Sequence, residues 1–391
     1  MAACLALLGL FLLLEERAVS RRARRLPLRI AVTGTRGKST VARLIAGSLR
    51  AAGWSVLAKT TGSKPMVILP DGSEEEIGRR GLPTVLEQKT VLERAGRLGV
   101  RALVSELMSV RPEVLAVESR RILRPHILVI TNVRVDHRDE QGRTKSEVAR
   151  SLASAVAPGS AVIVPEAEFY PEFEREARKA GASLISVSAL RPPVDEPWPA
   201  TRPAFSEDLA LALAVAERLG IPRETAFAGV AATRPDFGSL RVWEADLGIP
   251  PAPWVLASAF AANDPESSGL ALERLRGLPP AAGRELVGLL NLRADRGDRT
   301  VQWIEALEDG FFADFSSLYV VGAHVAARRW RRLPGRAPAV RPLPGRLVES
   351  IMGEIIRGRP RGAVLVGLGN MGGLGERFVL HWEKIGRPHA V

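Results

Sequence analysis

Residues Val32 to Thr40 read VTGTRGKST, and this stretch decides the fold. A short apolar run precedes it (Leu28, Ile30, Ala31, Val32), and a helical pattern follows (Val41, Leu44, Ile45, Leu49). A strand, a glycine-rich turn and a helix N-terminus place backbone N–H groups around a phosphate, where the helix dipole favours negative charge. Lys38 adds a positive charge near the terminal phosphates, and the Ser39 hydroxyl suits a Mg2+ ion. The common P-loop spacing wants a further glycine at position 32, where this chain has Val32. A glycine loop with a chance lysine is the plain alternative. The strand before and the helix after argue for ATP instead.

The same alternation continues outward. Strands are expected at 54–58, 67–69, 102–104, 127–131, 161–164 and 183–187, with helices at 39–52, 85–98, from Pro112, at 148–156 and at 172–180. Asp71-Gly72 suits a hairpin turn after 67–69. Strands alternating with helices indicate an α/β fold with a parallel sheet covered on both faces. Residues 191–203 and 332–344 are rich in Pro and Arg and read as loops. A second α/β segment starts near Phe237, with strands at 254–257, 286–290, 317–321 and 363–366. The expected organisation is an N-terminal hydrophobic helix and basic flank at 1–25, a P-loop domain at 26–233 and a Rossmann-like C-terminal domain at 234–391.

A chain of 391 residues, 46% apolar and 25% charged, has ample material for two cores. Cys4 is the only cysteine, which excludes an intramolecular disulfide and a cysteine-based zinc site. The net charge is +12, carried mostly by Arg. No nucleic-acid motif accompanies it and aromatics are not interleaved with the Arg runs, so no nucleic-acid partner is expected. A polyanionic substrate or product is one use for such charge. Residues Ala2 to Leu14 are continuously apolar, followed by Glu15, Glu16 and then Arg17, Arg21, Arg22, Arg24 and Arg25. This run is shorter than the ~20 residues of a comfortable span. A short anchor, a helix with its beginning missing and a packed helix compete. The basic flank favours an anchor with the rest of the chain in the cytoplasm.

Ligands of a parallel sheet gather at strand carboxyl ends. Beside the P-loop, that places Glu106 (in ALVSELMSVRPE) and Asn132 with Asp136-His137 (in VITNVRVDHRD) as candidate site residues. A carboxylate and a histidine there make room for a second Mg2+. The competing readings are a helix-start charge for Glu106 and a polar loop residue for His137.

The stretches RGKSTVARL, AKTTGSKP, VSELMSVRPE, ITNVRVDHRDEQGRT, AFAANDPES, LLNLRADRGDRTVQ and VGLGNMGG together resemble the ATP-dependent ligase subunits of poly-gamma-glutamate synthases. These are relatives of the Mur ligases and folylpolyglutamate synthase. The resemblance covers nearly the whole chain. It implies a Mur-ligase-like fold and a reaction in which ATP activates a glutamate carboxylate as an acyl phosphate, which an amine then captures. It implies that Gly34, Thr35, Arg36, Gly37, Lys38, Ser39 and Thr40 hold the phosphates, with Ser39 a ligand of one Mg2+, Glu106 and His137 ligands of the other, and Lys38, Glu106 and His137 as catalytic groups. Asn263 and Asp264, and the segment with Asn291, Arg293, Asp295 and Arg296, are implied to reach nucleotide or substrate from the second domain as the domains close. His137 or Asp264 is the implied aid to amine deprotonation. Glutamate, its gamma-linked polymer and membrane subunits of a synthase are the implied partners, at the cytoplasmic face of the cell membrane, and a homo-oligomer stays open.

Departures are equally informative. No lysine follows Lys145 in SEVARSLASAVAPG, so the carbamylated lysine of many Mur ligases is not expected. Asp208 stands where relatives often carry Asn. Two rivals share the P-loop: a membrane ATPase that drives assembly or export without forming a bond, and a folate-type polyglutamate ligase. The string Gly367-x-Gly369-x-x-Gly372 matches a dinucleotide fingerprint, but too little chain follows for the second strand and acidic residue that NAD binding needs.

Overall fold

Apolar, β-branched stretches set the strands, and their short connections set the sheet order. The computed structural model describes residues 2–62, 64–79, 81, 83–188, 206–322, 338–343 and 347–389. The chain divides into two units, with the change at Asp236/Phe237.

The first unit is built on β1 (Leu28–Thr33), β2 (Val56–Thr60), β3 (Met66–Ile68), β4 (Glu74–Glu76), β5 (Ala102–Glu106), β6 (Ile127–Ile130), β7 (Ala161–Pro165) and β8 (Ser183–Val187). Their order is β4-β3-β2-β5-β1-β6-β7-β8. The pairs β2–β5, β5–β1, β1–β6, β6–β7 and β7–β8 are parallel, each reached through a helix or helical turn, as a crossover requires. The hairpin expected with its turn at Asp71-Gly72 is present at one edge of this mostly parallel sheet. The turn after β3 is too short for a crossover, so β3 and β4 form a hairpin and both pairings there are antiparallel.

The N-terminal helix runs Ala2–Arg24, well past the apolar run. Its final turns belong to the first unit: Val19, Ala23 and Leu26 are buried in the same core as Leu103, Leu115, Leu128 and Phe173. Arg29 of β1 seats it, its Nη1 donating to the carbonyls of Ala23 (2.6 Å) and Leu26 (2.7 Å). Ion pairs Lys89–Glu15, Arg121–Glu16 and Arg22–Glu93 tie it to neighbouring helices. Leu5, Leu7, Leu8 and Leu10 to Leu14 are exposed. Among the described residues no helix is long and apolar enough to cross a membrane.

The second unit contains β9 (Arg241–Leu247), β10 (Ala252–Ser258), β11 (Leu286–Leu292), β12 (Phe315–Gly322), β13 (Ala339–Pro342), β14 (Val364–Gly369) and β15 (Arg387–His389), ordered β13-β12-β11-β14-β10-β9-β15. β9 and β15 are antiparallel additions to a parallel centre. Alternate residues of one strand feed opposite cores: Val255 and Ala257 face one, Trp254 and Leu256 the other. The reading of 332–344 as loop is corrected in part, since 339–342 form an edge strand. The expected loop at 191–203 lies outside the described residues. The dinucleotide rival fails on topology: after β14 and the helix Leu374–Ile385 the chain adds a short antiparallel strand, where a parallel one is needed.

Candidate active site

β1 lies between β5 and β6, and its carboxyl end opens into the glycine-rich turn. The turn is shaped by β6. Thr131 donates its hydroxyl to the Arg36 carbonyl, and Asn132 grips both sides of Arg36, its Oδ1 accepting from Arg36 N (2.9 Å) and its Nδ2 donating to Arg36 O (3.1 Å). Thr35 N donates to the Asn132 carbonyl at 3.1 Å. Gly34 has φ +127°, and a Cβ there would lie 2.2 Å from Thr131 Oγ1, so no other residue fits. Asn132 is therefore a shaping residue of the loop. Its place at a strand end was legible; its two bonds to Arg36 were not.

The helix Lys38–Ala51 starts from Gly37 in the left-handed region (φ +76°) with no side-chain cap. A helix start of this kind, with its dipole, suits an anion. Lys38 Nζ donates to the carbonyls of Gly34 (2.8 Å) and Thr35 (3.2 Å). Thr40 lies in the first turn.

Glu106 is the last residue of β5, opposite Val32 in the register, and 2% exposed. The sequence placed it after the strand. Its Oε2 accepts from Ser39 Oγ at 2.7 Å and from Thr61 N at 2.6 Å. Two expected metal ligands therefore meet directly. A hydroxyl and a carboxylate with water and phosphate oxygens suit Mg2+, which takes few protein ligands. Among the described residues no three His, Cys, Asp or Glu side chains gather as a metal cluster. His137 is placed through Asp136, whose carboxylate pairs with Arg36 (2.8 Å), accepts from His137 N (2.9 Å) and lies 3.7 Å from His137 Nε2. His137 adopts φ 49°, a conformation histidine tolerates better than most residues.

Asp208, in the first turn of the helix Ser206–Arg218, is pressed against this loop: a Cβ on Gly37 would lie 2.7 Å from its Oδ1. Burial, with Glu207 adding repulsion, pushes its carboxyl up to about 8. The acid is thus held largely neutral beside the phosphate turn.

In the second unit, Asp264 caps the helix Pro265–Arg276, its Oδ1 accepting from Ser267 N at 2.8 Å, and Asn263 takes φ 61° just before it. Asn291 is 1% exposed and ties β11 to the Gly-rich turn, its Nδ2 donating to the carbonyls of Asn370 (2.6 Å) and Gly372 (3.1 Å). Arg293 holds Asp295 in a two-point ion pair (2.9 and 2.8 Å), and Arg296 precedes the helix Gly297–Glu308. The structure thus gives Asp264 and Asn291, both buried, local structural work, and leaves Asn263, Arg293, Asp295 and Arg296 at least partly exposed.

Residues 32–196 match the model for the Mur ligase middle domain, and residues 248–385 match that for the poly-gamma-glutamate synthase CapB C-terminal domain. The chain is 30% identical over 377 residues to the PGA synthase CapB of Bacillus subtilis (strain 168), covering 95% of this chain and 94% of that protein. It is 33% identical over 302 residues to the capsule biosynthesis protein CapB of Bacillus anthracis, covering 77% and 64%. In fold it is similar to the bifunctional folylpolyglutamate synthase/dihydrofolate synthase of Yersinia pestis, solved with AMPPNP and a Mn ion, with a TM-score of 0.67, 16% identity and coverage of 94% and 92%.

Proposed function

Because the chain belongs to the CapB family of poly-gamma-glutamate synthases, we propose that its strand-end site is that of an ATP-dependent amide ligase acting on glutamate. The observation that carries this is the meeting of Ser39 and Glu106 at the uncapped start of the Lys38–Ala51 helix. Carboxylate oxygen is a poor leaving group, so amide synthesis needs it activated. Transfer of the ATP gamma-phosphoryl group to the gamma-carboxylate gives an acyl phosphate and ADP; attack by the amine of a second glutamate then forms the amide, expels phosphate and releases a proton. Bound Mg2+ would supply charge neutralisation for the phosphoryl group.

The protein's share is positioning and charge. Gly34, Thr35, Arg36, Gly37, Ser39 and Thr40 present the turn and its N–H groups, and Lys38 offsets charge on the transferred group. Ser39 and Glu106 would hold a Mg2+ ion. Asp136 fixes His137 at the flank of the turn, where its imidazole serves the second metal or takes the amine proton. An acyl phosphate hydrolyses readily, so water must be kept from it.

The test is purified protein with ATP, Mg2+ and labelled glutamate. Glutamate-dependent ADP release is expected, with a hydroxamate when hydroxylamine is added. ADP release without hydroxamate or amide product favours an ATPase that forms no bond, and sinks this reading.

We also place the enzyme at the cytoplasmic face of the cell membrane, with synthase membrane subunits as partners. The exposed apolar turns Leu5–Leu14 and the Arg-rich turns after them support this. A chain lacking residues 2–14 is expected to leave the membrane fraction and keep its ADP release. Retention in that fraction would count against the placement.

A further inference from the structure

Behind the strand end that presents Glu106 lies a buried polar cluster in which two side chains hold the backbone of residues 105–109. Gln88, Ser105 and Glu118 are all 0% exposed. Gln88 Nε2 donates to the Glu106 carbonyl (3.0 Å) and to Glu118 Oε1 (2.7 Å), and Gln88 Oε1 accepts from Ser105 Oγ (2.7 Å). The Glu118 carboxylate also accepts from Met108 N (3.1 Å) and Ser109 N (2.9 Å). Glu118 sits in a π-helical stretch, Val117–Leu123, running on from the short helix Pro112–Ala116. Single wide turns of this kind recur at functional sites.

A carboxylate with several hydrogen bonds to fixed donors is costly to assemble in a core and is ruined by loss of one partner. Lys59, 0% exposed, stands nearby: its Nζ lies 3.6 Å from Glu87 Oε2 and 3.8 Å from Met108 Sδ. Burial pushes its ammonium below the usual lysine range, and the charges of Glu118, Glu87 and Glu106 offset only part of that. A hydrophobic core would have served the strands better for stability alone. What the cluster adds is a fixed course for the chain just where Glu106 must hold its Oε2 against Ser39.

We propose that Gln88 and Glu118 are positioning residues for the Glu106 carboxylate, fixing the backbone of residues 105–109 and so setting how the metal–nucleotide is held, while touching neither. This rests on the reading of Glu106 as the metal carboxylate. Residues one layer outside a metal ligand typically change metal affinity by about 10–100-fold when lost.

The experiment measures ADP release against Mg2+ concentration in Gln88→Met, Glu118→Gln and Ser119→Ala. Ser119 is equally buried in the same stretch, but its hydroxyl bonds the Ala155 carbonyl. The first two variants are expected to need about tenfold more Mg2+ for half-maximal rate, with the rate largely recovered at saturation. Ser119→Ala is expected to lose thermal stability with an unchanged Mg2+ requirement. Should Gln88→Met fail to fold, Ser105→Ala, which removes one anchor of Gln88, is expected to shift the requirement the same way and by less. An unchanged requirement in every folded clamp variant, or the same shift in Ser119→Ala, overturns the proposal. Glu106→Gln separates the two layers: if it leaves the Mg2+ response unaltered, the metal assignment of Glu106 fails, whatever the clamp variants do.

Discussion

Lys38→Ala is expected to lower glutamate-dependent ADP release by at least about 10³-fold and to leave the fold intact. Lys38 is only one of the groups that shape the loop, through its bonds to the Gly34 and Thr35 carbonyls. Thr131 and Asn132 hold Arg36 from β6, and the helix start is set by Gly37. What Lys38 contributes is a mobile cation, parked on the Gly34 and Thr35 carbonyls, at the open end of a helix. Removing it takes away charge stabilisation where charge develops. Single-turnover assays beside a thermal melt check both halves of the claim. Turnover within tenfold of the parent at an unchanged melting temperature would put the active centre elsewhere.

Asp208→Asn is expected to stabilise the protein, by an amount that grows with pH. The carboxyl sits at about 8 in the folded chain, well above the ordinary 3.8, because burial disfavours its charge. Below pH 4 it is protonated folded or unfolded, and costs nothing. Between pH 4 and 8 the unfolded chain releases the proton while the folded chain keeps it, so stability falls as pH rises. Above pH 8 both forms are ionised and the loss is complete. An amide of the same shape removes this burden, which by pH 8 is on the order of several kcal/mol. Thermal melts from pH 4 to pH 9 should show the variant level with the parent in acid and roughly 10 °C higher at pH 8. A gap that ignores pH would mean that Asp208 ionises normally where it stands.

The parts of the site that were legible in the sequence are those whose chemistry is local. Gly34, Lys38 and Ser39 are neighbours in the chain, and Glu106 follows an unmistakable apolar run. Their supports are tertiary. The Thr61 N–H that holds Glu106 is backbone, and backbone leaves no trace in residue identity. Glu118, in VLAVESRRIL, reads as an exposed helix charge, and only the π-helical turn directs it inward. Asp264 and Asn291 lie in distinctive motifs, yet much of what makes those motifs distinctive is capping and turn-tying within the second unit. The β9 strand escaped because RVWEADL mixes charges and apolar residues as an antiparallel strand near a sheet edge does. Val19, Ala23 and Leu26 were present at helical spacing but outnumbered by the arginines around them.

The seating of the first helix on Arg29 has a geometric consequence. Arg29 is the second residue of β1, and the phosphate turn follows the strand's end, so one strand joins the two. Its six residues span about 20 Å with no slack. On the membrane placement proposed above, Leu5–Leu14 would sit at a set stand-off from the phosphate turn, and the first unit would be held like a bracketed tool, at fixed height and facing, in place of a head swinging on a tether.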